Sequence, residues 1–122
     1  MRKKTLIIDD NSDHVELIIE ELKAKDNKNE IISIKNGKEA INYFKKIYTN
    51  GDDGKISKIE LIILDINLPK VKGLEVLKFI KGHRKFRSIP VFVVSTSYDK
   101  KTVTEAYKNG ANGFIAKPNF FL

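Results

Sequence analysis

Four consecutive apolar residues, Leu61 to Leu64, run straight into a carboxylate at Asp65, and that junction limits what the chain can become. A strand apolar at both of its alternating positions is the pattern of an inner parallel strand with helices above and below, and the run is short for a helix interior. Pro69 follows closely, and its missing N–H marks where strand pairing has stopped. Ligands of open parallel sheets bind outside the carboxyl ends of the strands, so Asp65 stands where chemistry is expected rather than where a core needs filling.

The same design recurs along the chain. Thr5 to Ile8 runs into Asp9 and Asp10, and Asn11 and Ser12 then supply helix-capping side chains. Val15, Ile18, Ile19 and Leu22 follow at i, i+3, i+4 and i+7, the spacing of a first amphipathic helix. A polar turn from Asp26 to Asn29 leads to a β-branched strand containing Ile31, Ile32 and Ile34. Asn36 with Glu39 resembles a capping box, and Ala40, Ile41, Phe44, Ile47 and Tyr48 give the stripe of a second helix. Thr49 to Lys58 shows no periodicity and reads as a surface loop whose acids, Asp52 and Asp53, are solvated and lack an EF-hand pattern.

Past Asp65, the spacing of Leu74, Leu77 and Ile80 predicts a third helix closing near Gly82. Pro90 to Val94 predicts a fourth strand, ending in the hydroxyls Ser95, Thr96 and Ser97. Ser97 is positioned to cap a helix carrying Val103, Ala106 and Tyr107 and leaving through Asn109 and Gly110. Gly113 to Ala116 is a last strand running into Lys117 and Pro118. Strands alternating with helices in this way imply a doubly wound α/β sheet with right-handed crossovers, in one domain spanning residues 1–122.

Composition removes several function classes. The chain has no cysteine, which excludes a disulfide framework, a thiolate nucleophile and a cysteine zinc site and fits a cytoplasmic protein. The basic start, Met1 to Lys4, is followed by only four uncharged residues before Asp9, too few for a signal peptide or a membrane span. The net charge of +7 and the basic stretch Lys78 to Arg87 read as a solvated face, since no nucleic-acid recognition signature accompanies them. His14 and His83 read as surface residues without a role.

Four strand ends thus meet at one rim: Asp9 with Asp10, Asp65, Ser95 and Lys117. Carboxylates about 4 Å apart repel by about 4 kcal/mol per pair at an effective dielectric near 20, so the cluster calls for a cation. Oxygen donors alone suit a hard ion, and Mg²⁺ leaves coordination positions for phosphate oxygens. An aspartate, a divalent ion, a lysine and a hydroxyl together are equipped for phosphoryl transfer onto the aspartate.

From Lys4 through Pro118 the chain resembles a response-regulator receiver domain. The likeness rests on Asp9-Asp10, on Asp65 with Pro69 and Gly73 behind it, on Ser95 five residues after Pro90, and on Lys117-Pro118. The wording DINLPKVKG and VVSTS is most similar to regulators partnered with phytochrome-like histidine kinases. The resemblance implies a flavodoxin-like sheet of five parallel strands in the order 2-1-3-4-5. It implies Asp65 as phosphoacceptor, with Mg²⁺ on Asp10, Asp65 and the backbone carbonyl of Asn67, and on Asp9 through water. Lys117 would grip the phosphoryl group, Ser95 would be the switch hydroxyl, Phe114 the aromatic ring that follows it inward, and the bond before Pro118 would be cis.

The function implied is acceptance of a phosphoryl group from a sensor histidine kinase and the switching of a protein-binding surface, with only self-phosphorylation and self-dephosphorylation as chemistry. A receiver fragment of a hybrid kinase or multidomain regulator has the same motifs. A small aspartate-nucleophile phosphatase is the competing enzyme reading, and Asn67 stands against it, because an amide cannot serve as general acid. Neither nucleic acid nor membrane is expected as a partner. The family's fifth helix is expected to be absent or truncated, since only four residues follow Pro118. The sheet face beneath it would then need a cover, from a longer natural chain or from a homodimer joined through Phe120, Phe121 and Leu122.

Overall fold

The computed structural model describes residues 2–51, 53–96 and 99–116. In chain order the elements are β1 (Lys4–Ile8), α1 (Ser12–Ala24), β2 (Glu30–Ile34), α2 (Gly37–Thr49), α3 (Asp53–Lys58), β3 (Ile59–Asp65), α4 (Gly73–Gly82), β4 (Val91–Ser95), α5 (Lys100–Lys108) and β5 (Gly113–Ala116). The strands form one parallel sheet in the order β2-β1-β3-β4-β5, as expected. Ser97, Lys117, Pro118 and the apolar run 120–122 lie outside the described residues, and with them the expectations of a cis bond and of a shortened final helix.

Strand order and handedness decide where the helices go. The step from β1 to β2 moves one way across the sheet, and every later step moves the other way. Right-handed crossovers therefore place α1 on one face and α2 to α5 on the opposite face. Burial follows this division. The hydrophobic cluster joins Leu6, Ile8, Ile62, Leu64, Val91 and Val93 from the strands with Phe44, Leu77, Ile80 and Ala106 from α2, α4 and α5. The Phe44 and Phe86 rings meet there at a centroid distance of 4.9 Å. On the α1 face, Ile7 is buried but Leu61 and Ile63 keep part of their surface, so β3 is not sealed on both sides as its apolar run suggested.

Several helix ends follow the side chains expected of them. The Asn11 carboxamide oxygen accepts from Asp13 N and His14 N, and that of Asn36 accepts from Glu39 N. Elsewhere the structure departs from expectation. The second half of the supposed loop Thr49–Lys58 is α3, which docks Ile56 into the cluster. Six residues are too few to show a helical period in sequence. Helix α5 is capped by Asp99, whose carboxylate accepts from Thr102 N at 2.7 Å. Tyr48 and Tyr107, assigned to apolar stripes, are half exposed, consistent with rings that carry a polar end.

Lys78 and Lys81 lie in α4, and Lys81 is not solvated as part of a charged face. Its ammonium donates to the Arg87 carbonyl, the Ile89 carbonyl and the Asn112 side-chain oxygen at 3.0, 2.7 and 2.8 Å. Burial pushes its pKa below the ordinary lysine value. Asn112 also accepts from Val91 N, so this clip ties the end of α4 to the beginnings of β4 and β5. Among the described residues no helix is long and apolar enough to cross a membrane.

Candidate functional site

The carboxyl ends of β1 and β3 bring three acids together. Asp9 and Asp10 follow β1 directly and Asp65 closes β3, and each offers a carboxylate oxygen within 4.8 Å of the others. Asp9 and Asp65 are buried and Asp10 is exposed. At that separation each ionised pair repels by about 3.5 kcal/mol at an effective dielectric of 20. The donor set is oxygen only, with no thiolate or imidazole in the cluster, and fits a hard divalent cation. A cleft of about 190 Å³, with Ser12, Glu16 and Lys35 in its lining, opens beside Asp9 and Asp10.

Local backbone geometry aims these groups. Asp9 is fixed by its N–H to the Ile34 carbonyl, and one of its carboxylate oxygens accepts from Asn11 N at 2.9 Å. Asp65 Oδ1 likewise accepts from Asn67 N at 2.9 Å. In each acid one carboxylate oxygen thus accepts from the backbone N–H two residues on, which fixes the side chain. The loop behind Asp65 is pinned by two close approaches. A Cβ on Gly73 would stand 2.3 Å from the Asp65 carbonyl oxygen, and one on Gly37 would stand 2.0 Å from that of Val71. Only glycine permits backbone to come this near.

Ser95 ends β4 fully buried, with its hydroxyl 3.4 Å from the Asn67 side-chain nitrogen. Phe114 lies in register with Val93 on β5, half-buried against the hydrophobic cluster. The structure therefore gathers Asp9, Asp10, Asp65, Asn67 and Ser95 at one rim and sets Phe114 on the neighbouring strand. Lys117 and Pro118 lie outside the described residues.

One neighbour was not expected. His14, read as a surface residue, is buried, with Nδ1 3.6 Å from Asp9 Oδ2. The signal was present in the spacing: the helix starts immediately after the Asn11 cap, so its first inward position faces back toward the strand end. His83 is not a solvated loop residue either, since its ring stacks on Phe86 at 4.4 Å and meets Tyr48 edge-on at 4.7 Å.

Comparison with known proteins gives the arrangement a context. Residues 5–120 match the family model described as the response regulator receiver domain. A probable methanogenesis regulatory protein, FilR2 of Methanothrix harundinacea, is 34% identical over 116 residues, covering 95% of this chain and 72% of that protein. The phosphorylated cyanobacterial phytochrome response regulator RcpA superposes with a TM-score of 0.84 at 33% identity, covering 98% of this chain and 83% of the other. The Mn²⁺-bound form of response regulator Rcp1, a protein of Synechocystis, gives 0.83 at 31% identity, with 96% and 82% covered.

Proposed function

The chain belongs to the response-regulator receiver family, and from that premise we propose that Asp65 accepts a phosphoryl group from a histidine kinase and thereby switches a protein-binding surface. Receivers of two-component systems are signalling proteins supplied by such kinases. The observation that carries the assignment to Asp65 is the convergence of Asp9, Asp10 and Asp65 within 4.8 Å at the sheet's carboxyl rim.

In the proposed step an Asp65 carboxylate oxygen attacks phosphorus in line, the bond from phosphorus to the donor histidine nitrogen breaks, and an acyl phosphate forms. Asp65 Oδ1 is held by Asn67 N, which fixes the carboxylate plane for that approach. Asp10, Asp65 and the Asn67 backbone carbonyl would hold Mg²⁺ directly, with Asp9 acting through water. Bound there, the ion neutralises charge on the transferring phosphoryl oxygens. The Mn²⁺-bound form of the similar Rcp1 supports a divalent ion at this acidic rim.

Ser95 reads the new phosphate. Its hydroxyl, beside Asn67, is one residue beyond the position paired with Asp65, so a short shift carries it to a phosphoryl oxygen. Phe114 then turns into the space that Ser95 leaves, which alters the surface around α5 and β5. Lys117 grips the phosphoryl group. The protein acts as one receiver domain over residues 1–122, in the cytoplasm, and hydrolysis of its own acyl phosphate resets it. Likeness to RcpA and Rcp1 supports a phytochrome-like kinase as the donor.

Labelling with acetyl phosphate tests the assignment. The wild type is expected to take up about one acid-stable, base-labile phosphate in Mg²⁺ and none in chelator, and Asp65→Asn to take up none, because the amide is not a nucleophile. Stoichiometric labelling of Asp65→Asn would refute it.

A further inference from the structure

A second surface, unconnected with phosphoryl chemistry, lies between α2 and α4. A groove of about 680 Å³ runs there over Ile41, Val71 and Phe79, and Lys70, Lys72 and Lys78 are among its other lining residues. The three apolar residues are each half-buried, so they pack against the core from outside and still present a hydrophobic floor. The lysines are exposed. On the α2 side, Lys38 and Lys45 flank Ile41 at i−3 and i+4, which puts cations on the second rim too. Glu75 is the acid in the lining, and it stands 3.9 Å from Lys78.

We propose that this groove docks an acidic amphipathic helix from a partner protein. An apolar floor between two helices is the shape that receives a third helix through anchors at i, i+3 or i+4, and i+7. Cations on both rims choose a partner whose flanking residues are aspartate and glutamate. A nucleic-acid backbone would meet the lysines but leave Ile41, Val71 and Phe79 facing a charged, hydrated strand, so the floor disfavours it. The groove's contacts do not include Asp65, and failure of Asp65 labelling would leave this inference standing.

The test uses the whole chain and a synthetic fluorescent peptide of ~15 residues, designed as a helix with leucines at the anchor positions and glutamates beside them. Saturable anisotropy is expected, with amide shifts at Ile41 and Phe79. The double variant Lys72→Glu/Lys78→Glu, altered only at exposed positions, should weaken binding by at least about tenfold. Lys100→Glu/Lys101→Glu at the start of α5 should bind as the wild type does. The proposal is overturned if no saturable binding occurs or if Lys72→Glu/Lys78→Glu binds equally well. Equal binding of a peptide with lysines in place of the glutamates, or displacement of the acidic peptide by an equimolar single-stranded oligonucleotide, would overturn it as well.

Discussion

Ile63 and Leu64 are neighbours in β3, yet Leu64 is shut away from solvent while Ile63 keeps part of its surface, and the contrast repeats across the sheet. On the side of α2 to α5, the row Ile8, Leu64 and Val93 is closed over by aromatic and aliphatic side chains. On the side of α1, the row Ile7, Ile63 and Phe92 is covered unevenly, and Ile115 on the edge strand is 47% exposed. Two acids of the clustered three continue this second row: Asp65 pairs with Val94, and Asp9 lies two residues beyond Ile7. One face of the sheet therefore supplies stability, and the other leads toward the acidic rim.

Truncation on the closed face gives the largest effect. Phe44→Ala should cost about 4 kcal/mol in denaturant melts, since Phe44 is fully buried against Phe86. A loss as large from Ile63→Ala would erase the distinction between the faces. Next comes the cation. Mg²⁺ at about a hundred times its dissociation constant should stabilise the fold by about 2.7 kcal/mol. That gain should appear as slower amide exchange in β1 and α1 and vanish in Asp10→Ala; uniform slowing over α2 and α4 instead would mean that the rim is not what it ties down.

The Lys81 clip is worth less. Lys81→Met removes three hydrogen bonds at the end of the sheet opposite the acids, and about 2 kcal/mol should be lost while Asp65 labelling is unaffected. A fall in labelling would couple the two ends of the sheet and undo the separation drawn here. Smallest is Ile115→Ser, expected to change stability by less than about 0.5 kcal/mol because the side chain is half in solvent already. A cost near that of a core residue would show that this position is covered in solution.

Much of this was legible in the chain. Strand ends that coincide with acids, and caps that follow them, are local signals: Asp9 and Asp65 stand at the ends of β1 and β3, and Asn11 and Asn36 cap α1 and α2, where they were read. Where tertiary packing decided, the reading failed. Helix α3 owes its place to Ile56 reaching the cluster, and Lys81 found the side chain of Asn112, far along the chain, beside the nearer carbonyls of Arg87 and Ile89. In the run from Ser95 to Asp99 several residues are able to cap a helix, and sequence does not rank them; the structure uses Asp99.

The two glycines that pinch the loop behind Asp65 have a consequence for how such a protein diversifies. Gly37 and Gly73 hold that loop through main-chain atoms, against the carbonyls of Val71 and Asp65, so its path is set without reference to most of the side chains it carries. Lys70 and Lys72, both exposed, are then open to exchange without moving the Asp65 carboxylate. Gly37→Ala or Gly73→Ala would displace it at once. A library randomised at Lys70 and Lys72 should keep many members that accept phosphate while their docking preferences scatter, so a new partner is acquired at the lysines without first dismantling the acid they follow.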